Sequence, residues 1–224
     1  DDTRWVTLFM GSNSSGKATA CLIDCQRWSG NSPHPGEEII VRDGDGQVHI
    51  FVWTGGSSFT NRYSNPLFDT CASDSIKDRY GAWPITLSVA AYETTEGVVR
   101  IIAPSTDGKV YYWDVSSSPG TSQANWSPSS KKTFETGATG ARFYGSPALA
   151  DRDGDQDPET IVGATNGAVY VWKSDGSMLP GWPQWTAQGI VSSPAVADLD
   201  GDGSPDVVVG SDDGWNYAWR ADGT

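Results

Sequence analysis

The chain has 224 residues, including 26 Gly, 13 Pro and 11 Trp, and its formal net charge at pH 7 is -13. This length suits one all-β domain, and the aromatic content indicates a packed fold rather than a disordered one. The negative charge repels phosphate groups and anionic lipid, which argues against nucleic-acid and membrane-surface binding and favours cations as ligands. No stretch of 18 apolar residues occurs, so we expect no membrane span.

The chain opens with a segment of strand composition that has no obvious partner, Trp5 to Phe9. We predict that a strand over 4–10 completes the last repeat unit, or that further units lie in a longer precursor or another copy. Because the first residue is Asp1 rather than Met, we also expect that any signal peptide has been removed or that the sequence is part of a longer chain.

Four repeat units follow, and we place them at 17–64, 84–137, 143–189 and 190–224. The first two units share a two-residue turn, Asp45-Gly46 or Asp107-Gly108, followed by an alternating aromatic strand. An Asp-Gly or Asn-Gly dipeptide between apolar runs is a strong β-hairpin signal.

The third and fourth units align residue for residue at an offset of 47. Residues 146–159 lie over 193–206, and Tyr170 and Trp172 lie over Tyr217 and Trp219. Units of this length with three or four strands each have the size of β-propeller blades. A β-sandwich would explain the strands but not the regular period. We therefore predict an all-β fold, a single β-propeller domain over 1–224 with four recognisable blades, either a closed four-bladed ring or part of a larger ring.

The acidic loop of the fourth unit has oxygen side chains at alternate positions. Its positions 1, 3, 5, 7 and 9 are Asp198, Asp200, Asp202, Ser204 and Asp206. Side-chain oxygens at this spacing, with a backbone carbonyl at position 7, form the kind of cage that Ca²⁺ accepts more readily than Mg²⁺. Without an ion the carboxylates would repel one another. We predict a calcium site in this loop.

The third unit carries the same pattern and predicts a second calcium site. Its ligands are Asp151, Asp153, Asp155, Asp157 and Glu159, with Asp157 at the carbonyl position. Gln156 replaces the glycine of the other loop, so we expect backbone strain there. In the second unit Arg100 takes the place of the last acid, and in the first unit six extra residues separate Asp24 from Glu38. We expect no metal in the second unit and do not predict one in the first.

The motif Ser-Pro-Ala-x-Ala-Asp-x-Asp-Gly-Asp-Gly-x-x-Asp, followed by an apolar strand, Gly and an aromatic hairpin, resembles the FG-GAP or VCBS repeat of integrin-α-like β-propellers. The resemblance is specific over 145–224, moderate over 86–114 and faint over 17–53. It implies an extracellular, calcium-stabilised propeller used for adhesion, lectin-like recognition or assembly, and in some members a secreted hydrolase or lyase. It also implies the ten ligands named above.

The remaining residues support binding rather than catalysis. The sequence has no nucleophile elbow, phosphate-binding glycine loop or paired-histidine metal motif. Cys21 occupies a small buried position of the repeat, which leaves Cys25 and Cys71 as a hypothetical disulfide of an oxidising compartment. Trp182 and Trp185 either form a sugar-stacking platform or cover the edge of a blade, and we favour the second interpretation.

We therefore expect a secreted or cell-surface calcium-binding module that is not an enzyme, with protein or glycan ligands at its loop face and a capacity for self-assembly. The alternatives are a carbohydrate-active propeller, either a polysaccharide lyase or a hydrolase, and a lectin. An enzyme acting on acidic polysaccharide needs clustered cations, and the sequence offers few beyond Lys131-Lys132.

Overall fold

The computed structural model describes isolated strands in the first third of the chain and nearly all residues from 89 onwards. The described residues are 19–23, 38–42, 47–53, 59–61, 68–69, 89–96, 98–106, 108–116, 127–128 and 132–224. The predicted strand over 4–10 and the Cys25–Cys71 pair lie outside these residues. Within them, no helix is long and apolar enough to cross a membrane.

Seventeen β-strands make up the regular structure of the described residues. They are β1 (Thr19–Ile23), β2 (Glu38–Arg42), β3 (Gln47–Trp53), β4 (Phe59–Asn61), β5 (Phe68–Asp69), β6 (Ala90–Glu93), β7 (Val99–Pro104), β8 (Val110–Ser116), β9 (Ser127–Pro128), β10 (Lys132–Phe134), β11 (Ala148–Ala150), β12 (Glu159–Gly163), β13 (Ala168–Trp172), β14 (Gln184–Trp185), β15 (Ala195–Ala197), β16 (Asp206–Gly210) and β17 (Asn216–Trp219).

The strands form four separate antiparallel sheets, which follow one another along the chain. The first sheet has the order β1-β2-β3-β4 with β5 also paired to β3, and the second has the order β6-β7-β8-β10 with β9 paired to β8. The third is β11-β12-β13-β14 and the fourth is β15-β16-β17. The first strands of neighbouring sheets lie side by side, β1 near β6 and β11 near β15. The all-β prediction is confirmed, and the sheets are consistent with propeller blades.

The offset of 47 residues seen in the sequence recurs in the strand register. Ala148 pairs with Ile161 in the third sheet, and Ala195 pairs with Val208 in the fourth. The same chemistry explains both sheets, because β-branched residues fill the central strands and a Gly at positive φ closes each hairpin. The blade boundaries given above stay predictions.

Two apolar layers join the last three sheets. The layer between the second and third sheets is aromatic, with Tyr112, Phe134 and Trp172 stacked at centroid distances of 4.5 and 5.1 Å. The layer between the third and fourth sheets is more aliphatic and contains Ile161, Ile190, Val207 and Val209 together with Trp182. The third sheet is therefore packed on both faces, as an inner unit of a repeat array must be.

The alternating aromatic pair of each hairpin is a shared packing element. Tyr170 and Trp172 stack at 5.3 Å, and Tyr217 and Trp219 stack at 5.6 Å. The Trp172 indole N–H also donates to the Glu135 carbonyl at 3.0 Å, which satisfies its only polar atom. The aromatic strand thus anchors each sheet to the one before it.

A close approach in the third sheet predicts a test of this packing. A Cβ added at Gly163 would collide with the Ile190 side chain, which is fully buried. At the equivalent Gly210 an added Cβ would meet only the ends of flexible side chains. We expect Gly163→Ala to lower the free energy of unfolding by about 1–3 kcal/mol through overpacking. The matched Gly210→Ala should cost less than about 1 kcal/mol in the same denaturant melts. Equal effects of the two substitutions would contradict the packing described here.

Candidate metal centre

The two acidic loops occupy the same place in their sheets, between the first and second strands. The third-sheet loop runs from Asp151 to 158, and Glu159 is the first residue of β12. The fourth-sheet loop runs from Asp198 to 205, and Asp206 is the first residue of β16. Because Ala150 pairs with Glu159 and Ala197 pairs with Asp206, the first and last acids of each loop must converge.

Each loop brings three carboxylates together. The third-sheet cluster consists of Asp151, Asp153 and Glu159, and the fourth-sheet cluster consists of Asp198, Asp200 and Asp206. In each cluster one oxygen of every residue lies within 4.8 Å of the others. These six residues are all among the ten predicted ligands, and the set offers only oxygen, the donor that hard divalent cations prefer.

Backbone N–H groups wrap each loop around its first acid. Asp198 accepts hydrogen bonds from Gly201 at 2.7 Å and from Gly203 at 3.0 Å. Asp151 accepts the equivalent bonds from Gly154 at 2.7 Å and from Gln156 at 3.0 Å. The loops therefore share one fold although their sequences differ.

Gln156 holds a backbone conformation that favours glycine. Its φ is 75°, and the equivalent Gly203 has a φ of 91°. A non-glycine residue in this region carries a steric cost of order 1 kcal/mol, so the strain expected from the sequence is present.

The last acid of each cluster has one oxygen without a hydrogen-bond partner. Glu159 Oε2 accepts the Arg152 N–H at 2.6 Å, and Asp206 Oδ2 accepts the Leu199 N–H at 2.9 Å. The other oxygens, Glu159 Oε1 and Asp206 Oδ1, are buried with no hydrogen-bond partner in the structure. Leaving a buried carboxylate oxygen unsatisfied is costly, and a cation is the partner that would remove the cost.

The electrostatics of the third-sheet cluster point the same way. Glu159 is completely buried, and burial together with the neighbouring carboxylates of its loop raises its pKa to about 7. A raised pKa means that the ionised form is destabilised in the absence of a counterion. A divalent cation fits both clusters, because it would supply the missing charge and the missing partner at once.

A basic side chain contacts the second acid of each cluster. Lys173 Nζ lies 2.5 Å from Asp153 Oδ2, and Arg220 Nε lies 2.7 Å from Asp200 Oδ2. The hydrogen bond from Lys173 holds the pKa of Asp153 below its usual range. Sequence reasoning missed these contacts, although both bases follow the hairpin Trp and are separated by the repeat offset of 47.

The other predicted ligands hold the loops rather than joining the clusters. Asp155 accepts the Asp157 N–H at 2.9 Å, and Asp202 accepts the Ser204 N–H at 2.8 Å. The Asp157 carboxylate accepts the N–H and the hydroxyl of Thr95, at 2.6 and 3.2 Å, and so ties this loop to the second sheet. Their role as ligands stays a prediction.

The second sheet replaces the acid at this position with a cation. Arg100 pairs with Tyr92 in the sheet as Glu159 pairs with Ala150. Its guanidinium binds Asp114 with Nε–Oδ1 and Nη2–Oδ2 distances of 2.6 and 3.1 Å. Asp114 follows the hairpin Trp, as Lys173 does in the third sheet. The two positions have therefore exchanged charges, and the arginine occupies the acid's place as predicted.

The predicted tryptophan pair has two different environments. Trp182 is 7% exposed, and its indole N–H donates to the Ala221 carbonyl at 3.3 Å. Trp185 is 53% exposed. Trp182 thus packs at the junction with the fourth sheet, whereas the role of the exposed Trp185 stays a prediction.

The two acidic loops are the part of the chain that matches a known family. Residues 151–209 match the FG-GAP-like repeat. The matched region begins at the first acid of the third-sheet cluster and extends past the last acid of the fourth-sheet cluster. The predicted FG-GAP-type repeat is confirmed over these residues. No curated protein sequence matches the chain.

One solved structure resembles the chain in fold over its full length. A crystal structure of BBS1N in complex with ARL6DN, soaked with lead, is 15% identical, with a TM-score of 0.54 over all of this chain and 57% of that chain. The same complex soaked with mercury is 13% identical, with a TM-score of 0.48 over 91% of this chain and 49% of that chain. The chain spans little more than half the length of the first of these structures. At this identity the likeness shows the fold alone.

Proposed function

We propose that the chain is part of an extracellular β-propeller module whose acidic loops bind two Ca²⁺ ions. The ions stabilise the loops and do not take part in a reaction. The module acts by binding, adhesion or assembly, and its ligands are proteins or glycans that contact the loop face. Self-assembly through the same scaffold is a further use that the repeat architecture permits.

One observation carries the proposal. In both clusters the last acid leaves one buried carboxylate oxygen without a hydrogen-bond partner, although this acid is Glu159 in one cluster and Asp206 in the other. Glu159 and Asp206 have side chains of different length, yet each uses one oxygen on the backbone N–H seven residues earlier. Each leaves the other oxygen buried and unbonded, and each residue forms a cluster with two further carboxylates. An ordinary turn has no reason to reproduce this arrangement twice.

The chemistry of the clusters favours Ca²⁺ among the common cations. The ligands are all oxygen atoms, which disfavours Zn²⁺ sites built from His and Cys. Glycine residues let these loops adjust around an ion. Ca²⁺ tolerates variable coordination geometry, whereas Mg²⁺ demands octahedral coordination. Calcium modules outside the cell bind with Kd values of roughly 0.1–1 mM, and exposed loops such as these suit that range. This supports the secreted or cell-surface location that the sequence predicts.

Ring closure is part of the same proposal. The fourth sheet has three strands in the described structure, and the third has four. We propose that a further strand completes the fourth sheet, with the apolar segment over 4–10 as one source and a neighbouring unit of a larger ring as the other. These two sources correspond to the alternatives that the sequence leaves open for ring closure, a strand over 4–10 or further units in a longer precursor or another copy.

Chelation should destabilise the protein. At about 1 mM free Ca²⁺, a site with a Kd of about 0.1 mM adds about 1.4 kcal/mol to the free energy of unfolding, so two sites add twice that. Glu159→Gln should remove the increment in stability from the third-sheet site, and Asp206→Asn should remove the increment from the fourth-sheet site. The double variant should lose both increments. The measurement is a thermal melt of each protein with calcium and with excess chelator.

The exposed acid Glu96, in the loop of the second sheet, provides the control. Glu96→Gln should leave both increments in place. A transition of the unmodified chain that is identical with calcium and with chelator would contradict the proposal.

A second candidate function is glycan recognition, which a polar cavity favours. The cavity has a volume of about 360 Å³, lies between the loops of the second and third sheets, and is lined by Glu93, Thr94, Thr95 and Gln156. A carboxylate, two hydroxyls and an amide suit a neutral ligand rich in hydroxyl groups. The Thr95 contacts to Asp157 hold the two loops together at this point.

Replacing the strained residue tests this candidate. Gln156→Gly restores the residue type of the fourth-sheet loop, so the free energy of unfolding should stay the same or rise by up to about 1 kcal/mol. Neutral monosaccharides should give saturation-transfer NMR signals with the unmodified chain and weaker signals with the variant. The absence of signals from the unmodified chain would remove glycan recognition at this cavity without affecting the calcium proposal.

A further inference from the structure

Arg152 places a buried guanidinium at the junction of the third and fourth sheets. The residue is 8% exposed, and its Cζ lies 4.8 Å from the centroid of the Trp182 ring. Its three guanidinium nitrogens are buried and have no hydrogen-bond partner in the structure. A cation in such a place is costly unless opposite charges lie nearby.

The compensating charges come from both acidic clusters and from Asp222. Arg152 lies within electrostatic range of Glu159 in the third-sheet cluster, Asp206 in the fourth-sheet cluster, and Asp222. Trp182, on which the guanidinium stacks, packs edge-on against Trp219 at 6.1 Å. The guanidinium is therefore held between the two sheets. Burial lowers its pKa below the ordinary value while the three carboxylates act in the opposite direction.

The fourth-sheet loop shows that the loop itself does not need an arginine. Leu199 stands at the position equivalent to Arg152, and its N–H makes the same bond to the last acid of its cluster. Its side chain is 59% exposed. The backbone role is thus common to both loops, and the guanidinium serves the junction.

We propose that Arg152 is an internal countercharge shared by the two clusters, which lowers the affinity of both for divalent cations. Without ions it compensates the buried charges of Glu159 and Asp206. When an ion binds at either cluster, the guanidinium repels it, so Arg152 weakens binding at both clusters while it stabilises the ion-free protein. The inference rests on the proposed calcium binding.

Lys173 and Arg220 differ from Arg152 in the number of clusters on which their charges act. Lys173 contacts Asp153 of the third-sheet cluster, and Arg220 contacts Asp200 of the fourth-sheet cluster. Their side chains are 31% and 62% exposed, so solvent screens their charges. Each acts on one cluster, which makes Lys173 a matched control for a charge that acts on two.

The test is a calcium titration of each cluster by itself. Asp198→Asn leaves the third-sheet cluster intact, and Asp151→Asn leaves the fourth. Isothermal titration with calcium chloride then gives the affinity of each cluster with Arg152, with Arg152→Met and with Arg152→Lys.

We expect Arg152→Met to raise the calcium affinity of both clusters by about fivefold or more, because one positive charge near a divalent ion is removed from a poorly screened junction. Arg152→Lys retains the charge and should stay closer to the unmodified chain. Lys173→Met should tighten the third-sheet cluster only.

Several results would overturn the proposal. One is an unchanged fourth-sheet cluster in Arg152→Met, and another is an equal effect of the Met and Lys substitutions, which would show a packing role. Failure of the unmodified chain to bind calcium at either cluster would overturn the proposed function, and with it the proposed effect of Arg152 on calcium affinity. Folding of Arg152→Met only in millimolar calcium, while Arg152→Lys folds without it, would support the countercharge. If Arg152→Met does not fold at all, Arg152→Gln takes its place with the same criteria.

Discussion

A carboxylate that is buried at the start of a central strand, with one oxygen unbonded, is the constraint on which this structure depends. Glu159 and Asp206 hold that position in the third and fourth sheets. Each ties the preceding loop to its sheet through a backbone N–H and forms a carboxylate cluster with two aspartates. The fold builds the site because antiparallel pairing brings both ends of the loop together. We propose that a cation bound at the site stabilises the fold in turn.

The few basic residues of this region complete the same arrangement. Residues 145–224 hold 13 Asp and Glu but only three basic residues, Arg152, Lys173 and Arg220. Two of these contact one aspartate each, and the third is buried between the clusters. The second sheet offers the reverse case, in which Arg100 occupies the place of the last acid and pairs with Asp114. Charge at two strand positions thus distinguishes a sheet with an acidic cluster from one that carries its own cation.

Much of the fold and part of the site follow from the sequence. The Asn-Gly turn at 166–167 and the Asp-Gly turn at 213–214 mark the hairpins, and the offset of 47 gives the register of both sheets. The acid spacing identifies the six clustered carboxylates at loop positions 1, 3 and 9, but it does not show that Asp155 and Asp202 lie outside the clusters and accept N–H groups of their own loops. The burial of Arg152 could not be predicted, since the equivalent residue is an exposed leucine and only the neighbouring sheet determines which side chain is covered. Ring closure also depends on contacts that repeat patterns do not specify.

The most direct test is a crystal structure of the protein grown in millimolar calcium, with anomalous data that identify the ion. We expect one ion in each acidic loop, bound to Glu159 Oε1 in one and to Asp206 Oδ1 in the other, at about 2.3–2.6 Å. Well-ordered loops in which both oxygens bind only water or protein groups would contradict it.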